Sequence, residues 1–250
     1  MNTFTCKQFS VSQDGVAMRV NTDGMLLGAW VNLPNHTDTL SVLDIGTGGG
    51  IIALMLAQRL NTLHTSSHFV IDALEPHPSS AQTASVNFKA SQWANHLHLF
   101  SCNLQDYTSQ HGAYFSHVPY NLIISNPPYF EDSLLSPYGD RSMVRHTVSL
   151  TPADLLQNVI RLLDRDGLFC VILPKTQQAS FCTKATEHGL FLCRETTLYS
   201  IAGRPPKRVL MEFSKKRKAL QSDTLTIHNS DGKSFTEEYK KVTGDFYLAF

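Results

Sequence analysis

The sequence predicts an α/β fold: a seven-stranded, mostly parallel sheet with helices on both faces and an antiparallel hairpin at one edge. Three observations carry this. Short β-rich runs alternate with helical patterns, the signature of a parallel sheet. A glycine-rich stretch joins the first of those runs to a long apolar helix. Beyond Pro174 the alternation stops, and two strand-like runs follow each other around a proline-containing turn.

The five parallel runs are "SVLDIG" (Ser41–Gly46), "FVIDALE" (Phe69–Glu75), "LHLFSC" (Leu97–Cys102), "YNLIIS" (Tyr120–Ser125) and "GLFCVILP" (Gly167–Pro174). Between them Ile51–Leu60, Ser79–Ser91 and Thr151–Leu163 read as helices. The last opens with Thr151 as N-cap and Pro152 at the first helical position, where the missing N–H costs nothing. "LFLCRETTLYS" and "RVLMEFS", separated by "IAGRPPK", form the antiparallel pair. "DTLTIHNSDGKSFTEEYKK" adds a strand, an Asp231-Gly232 turn and a short final helix. The whole of 1–250 is expected to be one domain: an N-terminal segment (1–40), a core (41–213) and a C-terminal extension (214–250).

A chain of 250 residues buries a full core in one such domain. Its 21 basic and 21 acidic residues cancel, so net charge does not mark a nucleic-acid binder, though a local basic patch is compatible with it. No apolar run suits a signal peptide or a membrane helix. Five cysteines without a CxxC spacing argue for reduced thiols, a cytoplasmic location and no disulfide framework. No metal site is expected, because the histidines are scattered without metal-ligand spacing.

The first motif is "VLDIGTGGG". It sets Asp44, Gly46, Gly48 and Gly50 between a strand and a helix, where glycines let the backbone turn tightly and approach a ligand. The spacing is GxGxG, and a third dinucleotide-type glycine would fall at Ile51, so a dinucleotide fingerprint is not matched. Glu75 ends the next strand, where a carboxylate can accept both hydroxyls of a ribose. A plain structural turn explains the glycines taken alone. Asp44 before them and Glu75 after them favour a nucleoside site.

The second motif is "LIISNPPYF" at the end of the fourth run, at the carboxyl edge where open α/β sheets bind ligands. The Asn126 side-chain oxygen and the Pro127 carbonyl can each accept a hydrogen from a planar amino group. That keeps the lone pair on nitrogen and makes it nucleophilic. Pro127 and Pro128 stiffen the backbone that aims the carbonyl, and Tyr129 offers a face for stacking. The bland alternative is a proline-terminated strand with an asparagine cap.

Together these motifs resemble the class I S-adenosylmethionine-dependent methyltransferases, in the amino-methylating branch marked by (N/D)PP(Y/F/W). Within it, "FTCKQFSVSQDGVAMRVNTDGMLLGAWV", "LDIGTGGGIIALMLAQR", "LIISNPPYF" and "DFYLAF" are similar to bacterial tRNA methyltransferases that act on N6 of adenine 37 in a valine tRNA. The resemblance implies a Rossmann-like fold and S-adenosyl-L-methionine as cofactor. Asp44, Gly46, Gly48 and Gly50 would cradle its methionine part and Glu75 its ribose, while Asn126 to Tyr129 hold the target adenine. Thr22 and Asp23 match the segment that closes over the methionine end, with a helix N-cap as the alternative. The family places an aspartate after the third strand to accept from the cofactor's adenine amino group. Here that position is Asn103, with Asp106 as rival.

Arg204, Lys207, Arg208, Lys215, Lys216, Arg217 and Lys218 fall within fifteen residues holding one acid, Glu212. Arg141 and Arg145 follow the NPPY stretch. Such runs are usually solvated surface, but two basic groups at one catalytic edge fit phosphate contacts that hold an RNA while one base is presented. The expected partner is tRNA, bound by a monomer. Rival acceptors are adenine in DNA, which would call for a separate target-recognition domain, guanine N2 of rRNA and a protein glutamine amide. The last is disfavoured because only about 40 residues precede Asp44. A non-catalytic RNA-binding protein with this fold is a further alternative, and the intact NPPY set argues against it.

Overall fold

A computed structural model of the chain describes residues 2–34, 39–63, 68–114, 119–128 and 150–250, without the side chains of 111–114. Strands β1 (Thr3–Thr5) and β2 (Ser10–Ser12) pair antiparallel as a small sheet of their own. Helix α1 (Thr22–Trp30) begins at Asn21, whose Oδ1 accepts the Gly24 N–H at 3.0 Å. This is the side-chain N-cap expected of asparagine.

Four strands then alternate with helices: β3 (Thr39–Ile45), α2 (Ile51–Leu63), β4 (His68–Leu74), α3 (Pro78–Ala90), β5 (Leu97–Phe100), α4 (Leu104–Tyr114) and β6 (Tyr120–Ser125). Helix α5 (Pro152–Leu162) starts as its sequence demands. Thr151 and Asp154 form a reciprocal capping box with Pro152 in the first turn. Strand β7 (Leu163–Pro174), helix α6 (Gln178–Glu187), strands β8 (Phe191–Ile201), β9 (Arg208–Ser214) and β10 (Gln221–His228), and helix α7 (Glu237–Thr243) complete the chain.

The sheet order is β10-β8-β9-β7-β6-β3-β4-β5. Every pairing is parallel except those of β9, which lies antiparallel between β7 and β8. Among the described residues the sheet thus has eight strands rather than seven, and the β8–β9 hairpin is not its outer edge. Residues 215–220 carry the chain past β8, and β10 then runs parallel to β8 as the last strand. β10 is exposed over its first four residues, as suits an edge strand with "QSDT" in its sequence.

The central strands are apolar on both faces because helices cover both. Leu122, Ile123 and Ile124 of β6 are fully buried, and successive residues feed opposite clusters. Leu122 and Ile124 join the cluster under α1 and α2, whereas Ile123 joins the one under α5 and α6. No helix among the described residues is long and apolar enough to cross a membrane.

Candidate active site

Register alone brings the motif residues together. Ile45 at the end of β3 pairs with Leu74 of β4 on one side and Ser125 of β6 on the other, and Leu74 pairs with Phe100 of β5. The residues that follow emerge side by side at the carboxyl edge: Gly46, Glu75, the Ser101–Asn103 stretch and Asn126. Strands lie about 4.8 Å apart, so Glu75 and Asn126 flank the glycine loop at about 10 Å from each other. Ser125 donates its hydroxyl to the Ile45 carbonyl at 3.0 Å, which ties the two central strand ends together.

Gly46, Gly48 and Gly50 all take positive φ, at 74°, 59° and 89°. Their roles separate. Gly46 and Gly48 line a cleft, and a Cβ on either would meet none of the described residues within 4 Å, so among these the loop presents bare backbone. Gly50 faces inward, where a Cβ would lie 2.5 Å from Cε1 of Phe88. Its glycine is a packing requirement rather than a ligand contact. Gly50→Ala is expected to cost about 2–4 kcal/mol, from overpacking against Phe88 and from a side chain at positive φ. A lower denaturant midpoint in the ligand-free protein would show it, and an unchanged midpoint would refute it.

Asp44 is fully buried beneath this loop. Its Oδ2 accepts the Thr47 hydroxyl at 2.6 Å, while Oδ1 has no hydrogen-bond partner among the described residues. Burial pushes the carboxyl up to about 7, against the bond from the Thr47 hydroxyl that pulls it down. An unsatisfied buried oxygen under two bare glycines is compatible with a cationic ligand group held above the loop. The residues present therefore fit the methionine end of S-adenosyl-L-methionine.

Glu75 is organised by the same loop. One carboxylate oxygen accepts the Gly48 N–H and the other the His77 N–H, both at 2.9 Å. Each oxygen keeps a lone pair for a ribose hydroxyl. Asn103 caps α4, its Oδ1 accepting the Asp106 N–H at 2.8 Å and its Nδ2 donating to Asp106 Oδ2 at 2.9 Å. The two rivals for the adenine contact thus hold each other, and Asn103 keeps one lone pair free for that bond.

The N-terminal segment forms the outer wall of the cleft, with Ser12, Val16, Met18, Asn21 and Gly24 in its lining. Thr22 and Asp23 are not its lining residues. The cap is Asn21, and Asp23 accepts from Arg208 Nε at 2.9 Å, tying α1 to the start of β9. Asn21 precedes an apolar run at cap position, so its role was legible. Asn126 lines the same cleft, and its Nδ2 lies 3.8 Å from where a Gly24 Cβ would stand. Pro127 is buried and Pro128 exposed. Tyr129, Arg141 and Arg145 lie outside the described residues.

The basic residues divide between two edges, which corrects the expectation of one shared catalytic edge. Arg208 pairs with Pro174 at the carboxyl end of β7, and Ser214 pairs with Leu168 at the opposite end. Arg204 and Lys207, in the turn before β9, therefore lie on the carboxyl edge with the cleft. Lys215–Lys218 lie at the amino edge, about 20 Å away over the length of β9. There Lys215 donates to the Leu163 carbonyl at 2.6 Å, Lys216 pairs with Asp166, and Arg217 stacks over Phe191. Among the described residues no group of three or more His, Cys, Asp or Glu is gathered as for a metal.

The methyltransferase small domain model matches residues 26–152. A tRNA1(Val) (adenine(37)-N6)-methyltransferase from Photorhabdus laumondii is 39% identical over 99% of this chain and 96% of its own length. One from Trichodesmium erythraeum is 40% identical over 100% and 99%, and one from Bacteroides fragilis 36% over 98% and 97%. Among solved structures, a predicted O-methyltransferase from Agrobacterium tumefaciens superposes with a TM-score of 0.66 at 17% identity, covering 90% of this chain and 96% of that one. That likeness establishes the Rossmann-like methyltransferase fold. With relatives this similar over their whole length, the chain belongs to the tRNA1(Val) (adenine(37)-N6)-methyltransferase family.

Proposed function

We propose that the chain uses S-adenosyl-L-methionine to methylate N6 of adenine 37, beside the anticodon of a valine tRNA, as a cytoplasmic monomer. The observation that carries this reading is the position of Asn126 and Pro127. They leave β6 directly beside the bare glycine loop, and Asn126 lines the same cleft as Gly46 and Gly48.

Gly46, Gly48 and the Asp44-braced loop hold the methionine end of the cofactor, Glu75 the ribose and Asn103 the adenine. When bound, the cofactor supplies an electrophilic methyl group on a sulfonium. Asn126 Oδ1 and the Pro127 carbonyl each accept one N6 hydrogen of the target base, which localises the nitrogen lone pair for attack. Pro127 has a fixed φ, so its carbonyl needs little reorganisation. The apolar side chains of Val16 and Ile52 in the cleft lining limit water there.

The test is incubation of the protein with valine tRNA lacking the modification, followed by nucleoside mapping. N6-methyladenosine at position 37 is the expected product. Methylation at a guanine, or none at all, refutes the reading.

The two basic groups give a separate prediction. Neutralising Arg204 and Lys207 should weaken tRNA binding and flatten its salt dependence, by about 0.7 in logarithmic slope per lost contact. Neutralising Lys215–Lys218 together should change the slope less, because those residues sit at the far edge. A salt titration of both variants checks it, and a larger slope change in the lysine variant would place the RNA on the amino edge.

A further inference from the structure

Beside its buried apolar residues Ala81, Ala84 and Phe88, helix α3 carries a stripe of polar residues on the face that meets the N-terminal segment. Ser79, Thr83 and Asn87 recur at every fourth position, so they share one face. Thr83 and Asn87 are buried, at 9% and 4% exposed, as is the neighbouring Ser80. Buried polar side chains are tolerated when hydrogen-bonded, and each of these grips the N-terminal segment. Ser79 donates its hydroxyl to the Gly15 carbonyl at 2.6 Å, and Thr83 donates to the Asp14 carbonyl at 2.5 Å. Ser80 Oγ accepts the Ala17 N–H at 3.1 Å.

Asn87 differs from the other three. Its Oδ1 accepts the Ser12 N–H at 2.8 Å, and its Nδ2 donates to the Ser12 carbonyl at 3.0 Å. The same Nδ2 donates to the Gly49 carbonyl at 2.8 Å. Ser12 belongs to the outer wall of the cleft and Gly49 to the glycine loop, and both line it. One amide therefore spans both walls, whereas Ser79, Ser80 and Thr83 hold the outer wall alone.

We infer that Asn87 is a positioning residue for the cofactor: it sets the distance between the glycine loop and the N-terminal wall. The inference rests on reading this cleft as the S-adenosyl-L-methionine site. The side chain touches no ligand itself. Its two amide hydrogens and its carbonyl oxygen are all used on backbone groups, a set that no other side chain of its size supplies.

The decisive variant is Asn87→Asp, which has the same shape and keeps an acceptor for Ser12 but lacks both donors. Two lost hydrogen bonds are expected to raise the dissociation constant for S-adenosyl-L-methionine about ten- to hundredfold. Thr83→Ala is the comparison, because it loosens the outer wall without touching the loop. It should raise the constant less than about threefold for a similar fall in melting temperature. Hydrogen exchange in the ligand-free protein gives a second readout. Asn87→Asp should speed exchange over both 10–17 and 46–50, and Thr83→Ala over the first segment alone.

Should Asn87→Asp not fold, Asn87→Ser, smaller and uncharged, decides by the same criteria. Equal losses of affinity in the two variants at equal loss of stability would overturn the inference, as would wild-type affinity in the Asn87 variant. A wild-type protein that binds no cofactor refutes the cofactor reading instead. The exchange comparison needs no ligand and still decides whether Asn87 joins the two walls.

Discussion

Asn126→Ala is expected to lower single-turnover methylation of valine tRNA by about 10²–10³, the cost of removing one preorganised hydrogen-bonding group from a site of developing charge. The amino group of adenine is a poor nucleophile because its lone pair is delocalised into the ring. Two acceptors, Asn126 Oδ1 and the Pro127 carbonyl, hold its hydrogens out of the conjugated arrangement. Alanine removes one acceptor, and Pro127, fixed by its ring, cannot move to replace it. Cofactor affinity should fall by less than about threefold, because the glycine loop and Glu75 are built by β3 and β4 and do not depend on the amide. The measurement is single-turnover methylation beside a calorimetric cofactor titration. A near-normal rate in a folded Asn126→Ala protein would refute the acceptor role. Equal losses in both measurements would make Asn126 part of the cofactor pocket instead.

The parts of this site that were legible in the sequence are those set by local backbone chemistry. Glycines at 46, 48 and 50 announced positive φ, and all three take it. Thr151-Pro152 announced a helix start, and the capping box with Asp154 is there. "RVLMEFS" announced a strand with the bounds of β9. What local chemistry cannot show is which face a residue turns to. Gly50 has the same φ signature as Gly46, yet it answers to Phe88 rather than to a ligand. That contact depends on how α3 packs against the loop.

Longer-range errors have one physical source. Lys215–Lys218 read as a companion of Arg204 and Lys207 because they are near in sequence. A strand of seven residues separates them, and it runs the full height of the sheet. The predicted hairpin already contained the answer, since a returning strand must deliver its two ends to opposite edges. The β1–β2 hairpin was missed because strands of three residues carry too few alternations to register as a pattern. In the sequence alone the polar stripe of α3 reads as an ordinary helix. Its meaning depends on the N-terminal segment lying across it.

Gly46→Val should weaken S-adenosyl-L-methionine binding by on the order of a hundredfold or more, about 2.7 kcal/mol. Two effects of the substitution have to be separated. A β-branched side chain at φ 74° is strained by about 1–3 kcal/mol whatever surrounds it. Its methyl groups also enter the space that the bare loop leaves in the cleft, where none of the described residues lies within 4 Å of the Cβ position. Gly189→Val isolates the first effect. Gly189 has φ 79° and the same open surroundings, but it sits in the turn between α6 and the amino end of β8, at the opposite edge from the cleft. Both variants should therefore melt earlier than wild type by similar amounts, because each carries the same kind of backbone strain. Gly46→Val alone should lose the cofactor. Thermal melts paired with calorimetric titrations decide the matter. Equal affinities in the two variants would mean that Gly46 is a structural turn and that the ligand lies elsewhere. Binding retained by Gly189→Val and lost by Gly46→Val would place the methionine end of the cofactor over the backbone at 46–48.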